Sequence, residues 1–410
     1  MIVVRRCLAL AFVWVAAPLA AQDTTPSAGG TQRAPTDSAS KPATPTPSLN
    51  FSGVLFGNFN YQLPTTPAQL PSQINEAFIV GRAYLNFRMA AGDRTSIRIT
   101  TDVYQTQDSV SNAYTVRAKY AYLQYEVPKK ANGAQVTGRV GILQNVVIDH
   151  IDLFYPRYLA QAPTERAGYF ASADVGVAGL FTLPKKWGEV FAEIVNGPGY
   201  TSLEKDRFKD YAVRLTLTPL MNRPTSPLLQ SFTITAWGYK GALASKFVNG
   251  GTGQVGAVGE SLDRSRAGVF AGFRDPNLVI AGELTRQTTG GETGANTVQS
   301  PRVENTTTGR LLSGITLVRP FAFSSENRKS PFGLVVRYDH VKPSVSSTGF
   351  ASPPPSENAY HFLIAGLFYD VSQKATLALD YQEALASNNA VSSTPPGQSK
   401  VYYAHFVINF

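Results

Sequence analysis

The chain has 410 residues, of which 43% are hydrophobic and 16% are charged, and its formal net charge at pH 7 is +9. A single cysteine, Cys7, excludes a disulfide framework. Beyond the N-terminal segment, no window approaches the ~20 consecutive apolar residues of a spanning helix, which excludes a helical bundle in lipid.

The N-terminal region predicts an export signal followed by a leader. Residues 1–21 begin with Arg5 and Arg6, continue through an apolar run and end in small residues, which is the pattern of a secretory signal peptide. Residues 22–48 are rich in Thr, Ser, Pro and Ala, and such a segment cannot bury enough apolar surface to offset its ordering entropy. We therefore expect a signal peptide (1–21), a disordered periplasmic leader (22–48) and one folded domain (49–410).

From residue 49 onward, the chain is a series of segments in which apolar and polar residues alternate. Each segment has about ten to fourteen residues, the length of a tilted strand that crosses a bilayer. We predict an all-β fold, a transmembrane antiparallel β-barrel of about sixteen strands, with eighteen as the alternative. The predicted strands are 50–62, 76–90, 95–106, 114–126, 134–148, 173–184, 187–196, 209–219, 229–241, 266–274, 278–289, 307–320, 331–343, 358–371, 375–387 and 400–410.

The connections between these segments alternate between short and long. Outer-membrane barrels have this asymmetry, with short periplasmic turns and long outer loops, whereas a soluble sandwich has no reason for it. An even number of strands also brings both ends of the barrel to the periplasmic side. The short connections include Ala91–Arg94, Pro184–Gly188, Arg274–Asn277 and Ser372–Lys374, and the long ones include 149–172, 242–265, 290–306 and 344–357.

The last strand, Lys400–Phe410, has two different faces. One row holds Tyr402, Ala404, Phe406, Ile408 and Phe410, and the other holds Tyr403, His405 and Asn409. This ending resembles the C-terminal strand by which the barrel-assembly machinery recognises outer-membrane barrels. An edge strand of a soluble sheet is the alternative.

Placing the apolar row of each strand against lipid predicts which charged residues face the lumen. In 76–90, Ile79, Ala83, Leu85 and Phe87 face lipid in this scheme. An excess of inward positive charge favours anions, although pairing of these residues with inward acids in a structural ladder is the alternative. The basic residues expected to line the pore and set its selectivity are Arg82, Arg88, Arg98, Arg117, Lys119, Arg139, Arg214 and Arg337. The expected inward acids are Asp102, Asp174, Glu193, Glu283, Asp339 and Asp380.

Four segments resemble the phosphate-selective porin O and P family of the bacterial general porin superfamily: 76–90, Arg139–Gln144, Phe191–Gly197 and Lys209–Leu220. The resemblance implies a sixteen-stranded porin, often a homotrimer, whose third outer loop folds into the lumen. Loop 149–172 would then be the constriction, with Asp149, Asp152, Arg157, Glu165 and Arg166 as its charged residues. This loop departs from the phosphate-specific members of the family because it lacks a cluster of arginines or lysines, so we expect diffusion of small anions or other small solutes in general, with phosphate as one of them.

Other motifs do not indicate catalysis. Gly251–Gly256 matches GxGxxG, but it has no βαβ context, and Gly259–Asp263 has no nucleophile-elbow context. The arginines are spread over alternating strand positions, so nucleic-acid binding is not expected. The four histidines, which have no zinc-ligand spacing, are His150, His340, His361 and His405.

The sequence therefore predicts a passive, mildly anion-preferring porin of the bacterial outer membrane, with no enzymatic activity, cofactor or metal. Its expected partners are outer-membrane lipid, small anionic or neutral solutes, the barrel-assembly machinery (through the Phe410 strand) and two further copies in a homotrimer. Two alternatives stay open. One is a structural or adhesive surface barrel with a plugged lumen, and the other is a barrel enzyme such as a phospholipase.

Overall fold

The computed structural model describes the chain from residue 48 to residue 410 with gaps. The described ranges are 48–64, 76–105, 113–204, 206–222, 226–244, 261–293, 303–319, 330–347, 359–386 and 399–410. The predicted signal peptide and all but the last residue of the predicted leader lie outside these ranges. Within them, no helix is long and apolar enough to cross a membrane.

Sixteen strands form one closed antiparallel barrel, as predicted from the alternating pattern. Among the described residues, three short α-helices, α1 (Val146–Ile151), α2 (Pro163–Arg166) and α3 (Pro227–Gln230), lie in the connections, together with one 3-10 turn at Pro184–Lys186. The strands are β1 (Leu49–Gln62), β2 (Glu76–Ala90), β3 (Thr95–Gln105), β4 (Tyr114–Glu126), β5 (Gln135–Gln144), β6 (Ala173–Thr182), β7 (Gly188–Val195), β8 (Asp210–Leu217), β9 (Thr233–Ala244), β10 (Ser261–Arg274), β11 (Leu278–Thr293), β12 (Val303–Val318), β13 (Phe332–Ser347), β14 (Tyr360–Asp370), β15 (Ala375–Ala386) and β16 (Ser399–Asn409).

The barrel closes between its first and last strands. β16 pairs with β1 from Val54↔Asn409 to Gln62↔Val401. Beyond this ladder, the Gly53 amide donates to the Phe410 carbonyl (2.8 Å), and the Phe410 amide donates to the Gly53 carbonyl (3.0 Å). Closure removes the free edges, whose unpaired backbone groups would each cost several kcal/mol in lipid.

Several strand ends differ from the prediction. β5 stops at Gln144 instead of 148, because the Asn145 side chain accepts hydrogen bonds from the Val147 and Ile148 amides and so begins a helix. β10 begins at Ser261, five residues early. Both ends of the predicted loop 290–306 are strand, since Gly290–Thr293 pairs with Val303–Thr306. The GxGxxG segment lies outside the described residues.

Alternation along each strand produces an apolar exterior and a polar interior. Directly opposite residues share a face, so the pairing register assigns each row. Large apolar side chains on the outward rows stay exposed in the isolated barrel, as a lipid-facing surface requires. They include Val140, Val177, Val213, Val269, Leu284, Leu312, Leu367 and Leu379.

Two bulges change this alternation. In the β1–β2 register, Phe56 pairs with Arg82 and Gly57 pairs with Val80, so Gly81 is an extra residue. The bulge puts Ile79 opposite Asn58 on the inward row, and the prediction that Ile79 faces lipid is therefore wrong. The second bulge lies between β3 and β4, where Lys119 is the extra residue and lies next to Tyr120.

Candidate functional site: the lumen of the barrel

The connection between β5 and β6, residues 145–172, lies against the inner faces of distant strands; we call it loop L3. The Phe154 ring contacts the Phe270 ring of β10, with centroids 4.7 Å apart. The Tyr155 hydroxyl is 3.0 Å from the Ser313 hydroxyl of β12. Because both strands lie far around the wall from β5, L3 reaches across the barrel interior.

Further aromatic contacts extend L3 around the wall. Tyr158 packs edge-on against His405 of β16 at 6.1 Å, and Phe170 packs against Tyr239 of β9 at 5.4 Å. Most of the apolar residues of α1, together with Phe154 and Tyr155, are almost fully buried. Burial of this apolar surface stabilises the position of L3.

Three inward side chains hold backbone carbonyls of L3. The Arg214 guanidinium donates to the Val146 carbonyl. Arg337 Nη1 donates to the Gln161 carbonyl (2.7 Å), and Gln382 Nε2 donates to the Leu159 carbonyl (2.8 Å). Arg214 and Arg337, both expected to set selectivity, are therefore in contact with the loop.

The charged residues of L3 bond mainly to each other. Arg157 Nε donates to Asp152 (2.7 Å), and Arg157 Nη2 donates to Glu165 (2.5 Å). Burial raises the pKa of Asp152, while the Arg157 charge opposes that rise. Asp149 accepts from Gln144 Nε2 (2.7 Å), and the Arg166 guanidinium lies 3.4 Å from the centre of the Phe362 ring.

One wall of the lumen, formed by β2–β5, carries more basic than acidic groups; we call it the basic wall. Arg82 and Arg117 share a single carboxylate, Asp102, at 2.6 and 3.0 Å. The Asp102 side chain is 0% exposed. Two cations against one buried anion leave a net positive charge here.

Two other arginines of the basic wall, Arg98 and Arg139, bond to neutral groups. Arg98 donates to Thr100 (3.1 Å), Gln144 (3.0 Å) and Asn86 (3.2 Å). Arg139 Nε donates to Gln124 (2.9 Å). Hydrogen bonds to neutral acceptors orient a guanidinium without cancelling its charge.

Lys119 lies where the basic wall approaches L3. Its ammonium donates to the Tyr84 hydroxyl (3.0 Å) and lies 4.3 Å from the centre of that ring. It is also close enough to Asp152 and Glu165 for electrostatic interaction. The bulge at Lys119 places this side chain and Tyr120 on the same inner face.

The rest of the wall, formed by β7–β16, has a different charge arrangement, because most of its inward basic residues are next to acids. Arg266 is an exception, since its guanidinium lies over the Phe170 and Tyr239 rings, 5.0 and 4.6 Å from their centres. Arg337 Nη2 is 2.7 Å from Asp339, and Arg319 Nη2 is 2.8 Å from Asp370. Pairing of inward basic residues with acids in a structural ladder, the alternative given above, therefore describes this part of the wall. An excess of inward positive charge, which favours anions, describes the basic wall. Further inward pairs of β7–β16 are Arg214–Glu189, Arg264–Asp210 and His405–Asp380.

A polar cavity of about 660 Å³ opens along the basic wall at the end of the barrel where the termini and short turns lie. Arg88, Arg98 and Arg139 line it, together with Gln124 and Asp149. The structure thus brings together three of the predicted basic residues around one space that can hold a small solute.

Sequence reasoning missed two groups of lumen residues. Arg264 was not predicted, because β10 was expected to begin at 266, and its partner Asp210 was not assigned to the lumen although it lies in the predicted strand 209–219. The ring partners of the arginines were also missed. Arg117 lies 3.9 Å from the Tyr104 ring centre, and Arg98 lies 4.8 Å from that of Tyr120. Tyr120 and Tyr122 at alternate positions of β4 were an available signal, whereas Tyr104 lies on β3.

The histidines fall on both faces of the wall. His150 is buried against Thr235, whose hydroxyl is 2.9 Å from Nε2. His340 and His361 are cross-strand neighbours on the outward row, with stacked rings 4.6 Å apart, although no spacing in the sequence indicated that they would meet.

Within the described ranges, no group of three His, Cys, Asp or Glu side chains could hold a metal ion.

A closed sixteen-stranded wall with an apolar exterior and a polar, charged interior defines an outer-membrane β-barrel. The protein is of this class, and its location is the bacterial outer membrane.

No protein-family model and no curated protein matches the sequence. Solved structures match in fold. A loop-deletion variant of OmpT, an outer membrane protein of Vibrio cholerae, has a TM-score of 0.57 at 9% identity, over 89% of this chain and 99% of that chain. OmpF of Salmonella typhi in complex with daunomycin has a TM-score of 0.56 at 13% identity, over 88% and 97%. An anion-selective porin from Comamonas acidovorans has a TM-score of 0.52 at 9% identity, over 89% and 100%.

Proposed function

We propose that this barrel is a porin, a water-filled channel for passive diffusion of small hydrophilic solutes, with a mild preference for anions. The observation that carries the proposal is the basic wall. Arg98 and Arg139 bond only to neutral partners there, while Arg82 and Arg117 share one carboxylate. Their charge is therefore available to ions in the lumen.

The physical basis of the preference is the field inside a narrow channel. A lumen enclosed by walls of low dielectric constant concentrates field lines, which raises the local concentration of ions of the opposite sign. The residues proposed to set this field are Arg82, Arg88, Arg98, Arg117, Lys119 and Arg139. Arg214 and Arg337 are proposed instead to position L3, because both are paired with acids and donate to its carbonyls.

Residues 149–172 of L3 are proposed to be the constriction. Lys119 of the basic wall, which is buried, interacts electrostatically with the Asp152–Arg157–Glu165 cluster of the loop, which is partly buried. The positive charge of the basic wall favours anions, and the two loop acids reduce the net positive charge at the constriction. This arrangement supports a mild preference for anions better than a strict selection of anions over cations.

The substrate class proposed is small anions in general, with phosphate as one member. The Comamonas acidovorans protein is an anion-selective porin, which supports this class by analogy of fold alone. Membership of the phosphate-selective porin O and P family stays a proposal. Arg157 and Arg166, the arginines of L3, are engaged with loop acids and with Phe362 respectively.

Four further proposals concern export and assembly. They are export by the signal peptide 1–21, a leader at 22–48, recognition of the Phe410 strand by the barrel-assembly machinery and assembly into a homotrimer. The homotrimer is supported by the family resemblance alone. Crosslinking of the protein in intact outer membranes tests it, with a trimer-sized band as the expected result.

Planar-bilayer recording under a KCl gradient tests the channel function. We expect stepwise conductance and a reversal potential on the anion-selective side. Cation selectivity would contradict the proposed field. Absence of conductance from folded protein would contradict the porin and favour a surface barrel with a plugged lumen.

A further inference from the structure

Basic residues lie side by side on the outward face of three neighbouring strands. In the register of β11, β12 and β13, Arg286 is directly opposite Arg310, and Arg310 is directly opposite Lys342. All three residues are exposed. We call this group the basic row. Like charges directly opposite each other on one face of a sheet are destabilising, so an anion over the row would stabilise it.

The basic row lies at the outer edge of the lipid-facing band. Arg286 is eight residues beyond Leu278, the first residue of β11. That separation is ~26 Å along the strand and roughly 20 Å of height at the usual tilt, close to the ~25 Å apolar band of such barrels. The long-loop end faces outward in this class. The guanidinium groups therefore reach the level of the lipid headgroups of the outer leaflet.

Other outward basic residues near the same rim have acidic partners. Lys240 pairs with Asp263, and Lys400 Nζ is 3.3 Å from Glu383. Among the described residues, neither Arg286 nor Arg310 has a carboxylate within ion-pairing distance. On the exterior of the sheet, the charges of Lys240 and Lys400 are thus balanced by acids, whereas the charges of the two arginines are available to an external anion.

The surface directly below the two arginines is shaped for an acyl chain. Leu284 and Leu312 form the next outward pair and are 53% and 54% exposed. Gly282 and Gly314 form the pair after that, so no side chain projects from the wall at this level. A charged row above an apolar surface matches an amphipathic ligand better than a free ion.

We propose that the basic row binds the phosphate of an outer-leaflet membrane lipid. The guanidinium groups of Arg286 and Arg310 donate to the phosphate oxygens, for which the planar donor fork of arginine is well suited. The acyl chains of the lipid pack over Leu284 and Leu312. This site is separate from the proposed channel, because the row faces away from the lumen.

Native mass spectrometry of the detergent-solubilised, folded barrel tests the site. The probes are diphosphorylated lipid A, the same lipid after removal of its phosphates, and inorganic phosphate. We expect the Arg286→Gln/Arg310→Gln variant to bind diphosphorylated lipid A at least about tenfold more weakly than the wild type. The Lys240→Gln/Lys400→Gln variant removes the same charge from the same rim and should bind like the wild type.

Three results would overturn the proposal: equal affinity of the Arg286→Gln/Arg310→Gln variant and the wild type, equal binding of the dephosphorylated lipid, or displacement of the lipid by inorganic phosphate at the same concentration. Resistance of the barrel to unfolding in unheated electrophoresis samples shows that the variant is folded. Its ion selectivity should equal that of the wild type, so failure of the lipid site and failure of the channel proposal are distinguishable.

Discussion

Arg88 and Arg98 lie directly opposite each other on the inner face of β2 and β3. Such a like-charge pair costs stability in a sheet. The hydrogen bonds of Arg98 go to a threonine, a glutamine and an asparagine, which leave its charge in place. Both arginines line the same polar cavity. The pair is therefore a source of positive potential in the lumen.

Replacing Arg98 and Arg139 together with glutamine should weaken anion preference. At a distance of about 8 Å in a watery lumen, one unit charge changes the energy of a permeating ion by about 0.5 kcal/mol. Two charges stabilise an anion by about 1 kcal/mol and destabilise a cation by the same amount, which without screening changes the anion-to-cation permeability ratio by about thirtyfold; salt reduces this effect, and we expect a change of at least about fivefold. The measurement is the reversal potential under a KCl gradient.

The matched control for this variant is Lys240→Gln/Lys400→Gln, which removes two charges from the outward face. We expect its reversal potential to equal that of the wild type. An unchanged reversal potential in Arg98→Gln/Arg139→Gln would show that the basic wall does not act on permeating ions.

Neutralising the loop acids should have the opposite effect. Asp152→Asn with Glu165→Gln removes both partners of Arg157, whose charge would then add to that of Lys119. We expect stronger anion preference, read as a larger reversal potential of the same sign. Asp263→Asn with Glu383→Gln removes two outward acids and serves as the control. An unchanged reversal potential would mean that L3 does not face the permeation path, and a shift toward cations would contradict the proposed role of the loop acids.

Much of the fold could be predicted because the alternating pattern is local. The count of sixteen strands and the closing role of the last strand followed from hydrophobic period and loop length. The path of L3 could not be predicted, since contacts such as Tyr155 with Ser313 join residues far apart in the chain. Nothing within residues 145–172 indicates which strands they meet.

The lining of the lumen was only partly predictable. Alternation assigns each residue to the correct face of the sheet until a bulge inserts an extra residue, as at Gly81. Ile79, beyond this bulge, therefore lies on the inward row and not on the lipid-facing one. Whether the charge of an inward arginine is compensated depends on its neighbours on the same face, both along its own strand and across the ladder. Arg337 has an acid two positions away on its own strand, whereas Arg139 faces a glutamine on the adjacent one.

Asp339→Asn should destabilise the barrel strongly. The Arg337 and Asp339 side chains are 2% and 3% exposed, so the substitution leaves a buried guanidinium without its counter-ion. Loss of one partner of a buried pair costs about 3–5 kcal/mol. The measurement is the free energy of unfolding in urea from lipid vesicles. Asp263→Asn breaks an exposed pair and should cost less than about 1 kcal/mol. Equal losses for the two variants would contradict the role of burial.

Gly141→Ala should disturb the pairing of β4 with β5, the strand that carries Arg139 and leads into L3. Gly141 has a φ of +131°, and an added Cβ would clash with the Ala121 carbonyl oxygen. Backbone atoms cannot move aside cheaply, so we expect a loss of at least about 2 kcal/mol in the free energy of unfolding. Gly138→Ala, three residues earlier on the same strand, meets open space and should be neutral within about 0.5 kcal/mol. Similar stabilities of the two variants would show that β5 tolerates a side chain at both positions.

Acid should loosen L3 through His150. Burial, with a further contribution from the Arg214 charge, lowers the pKa of His150 to about 3. An exposed histidine titrates near 6.5, so the stabilising effect of the neutral ring is complete above about pH 6.5 and is lost as the pH falls toward 3. Single-channel recordings from pH 7 to pH 4 should show increasing current fluctuations as α1 detaches from Thr235 and Phe270. His150→Gln removes this titration but keeps every other acid-sensitive group, so it should lack the added fluctuations. The same acid response in both proteins would assign the effect to the carboxylates of the lumen instead.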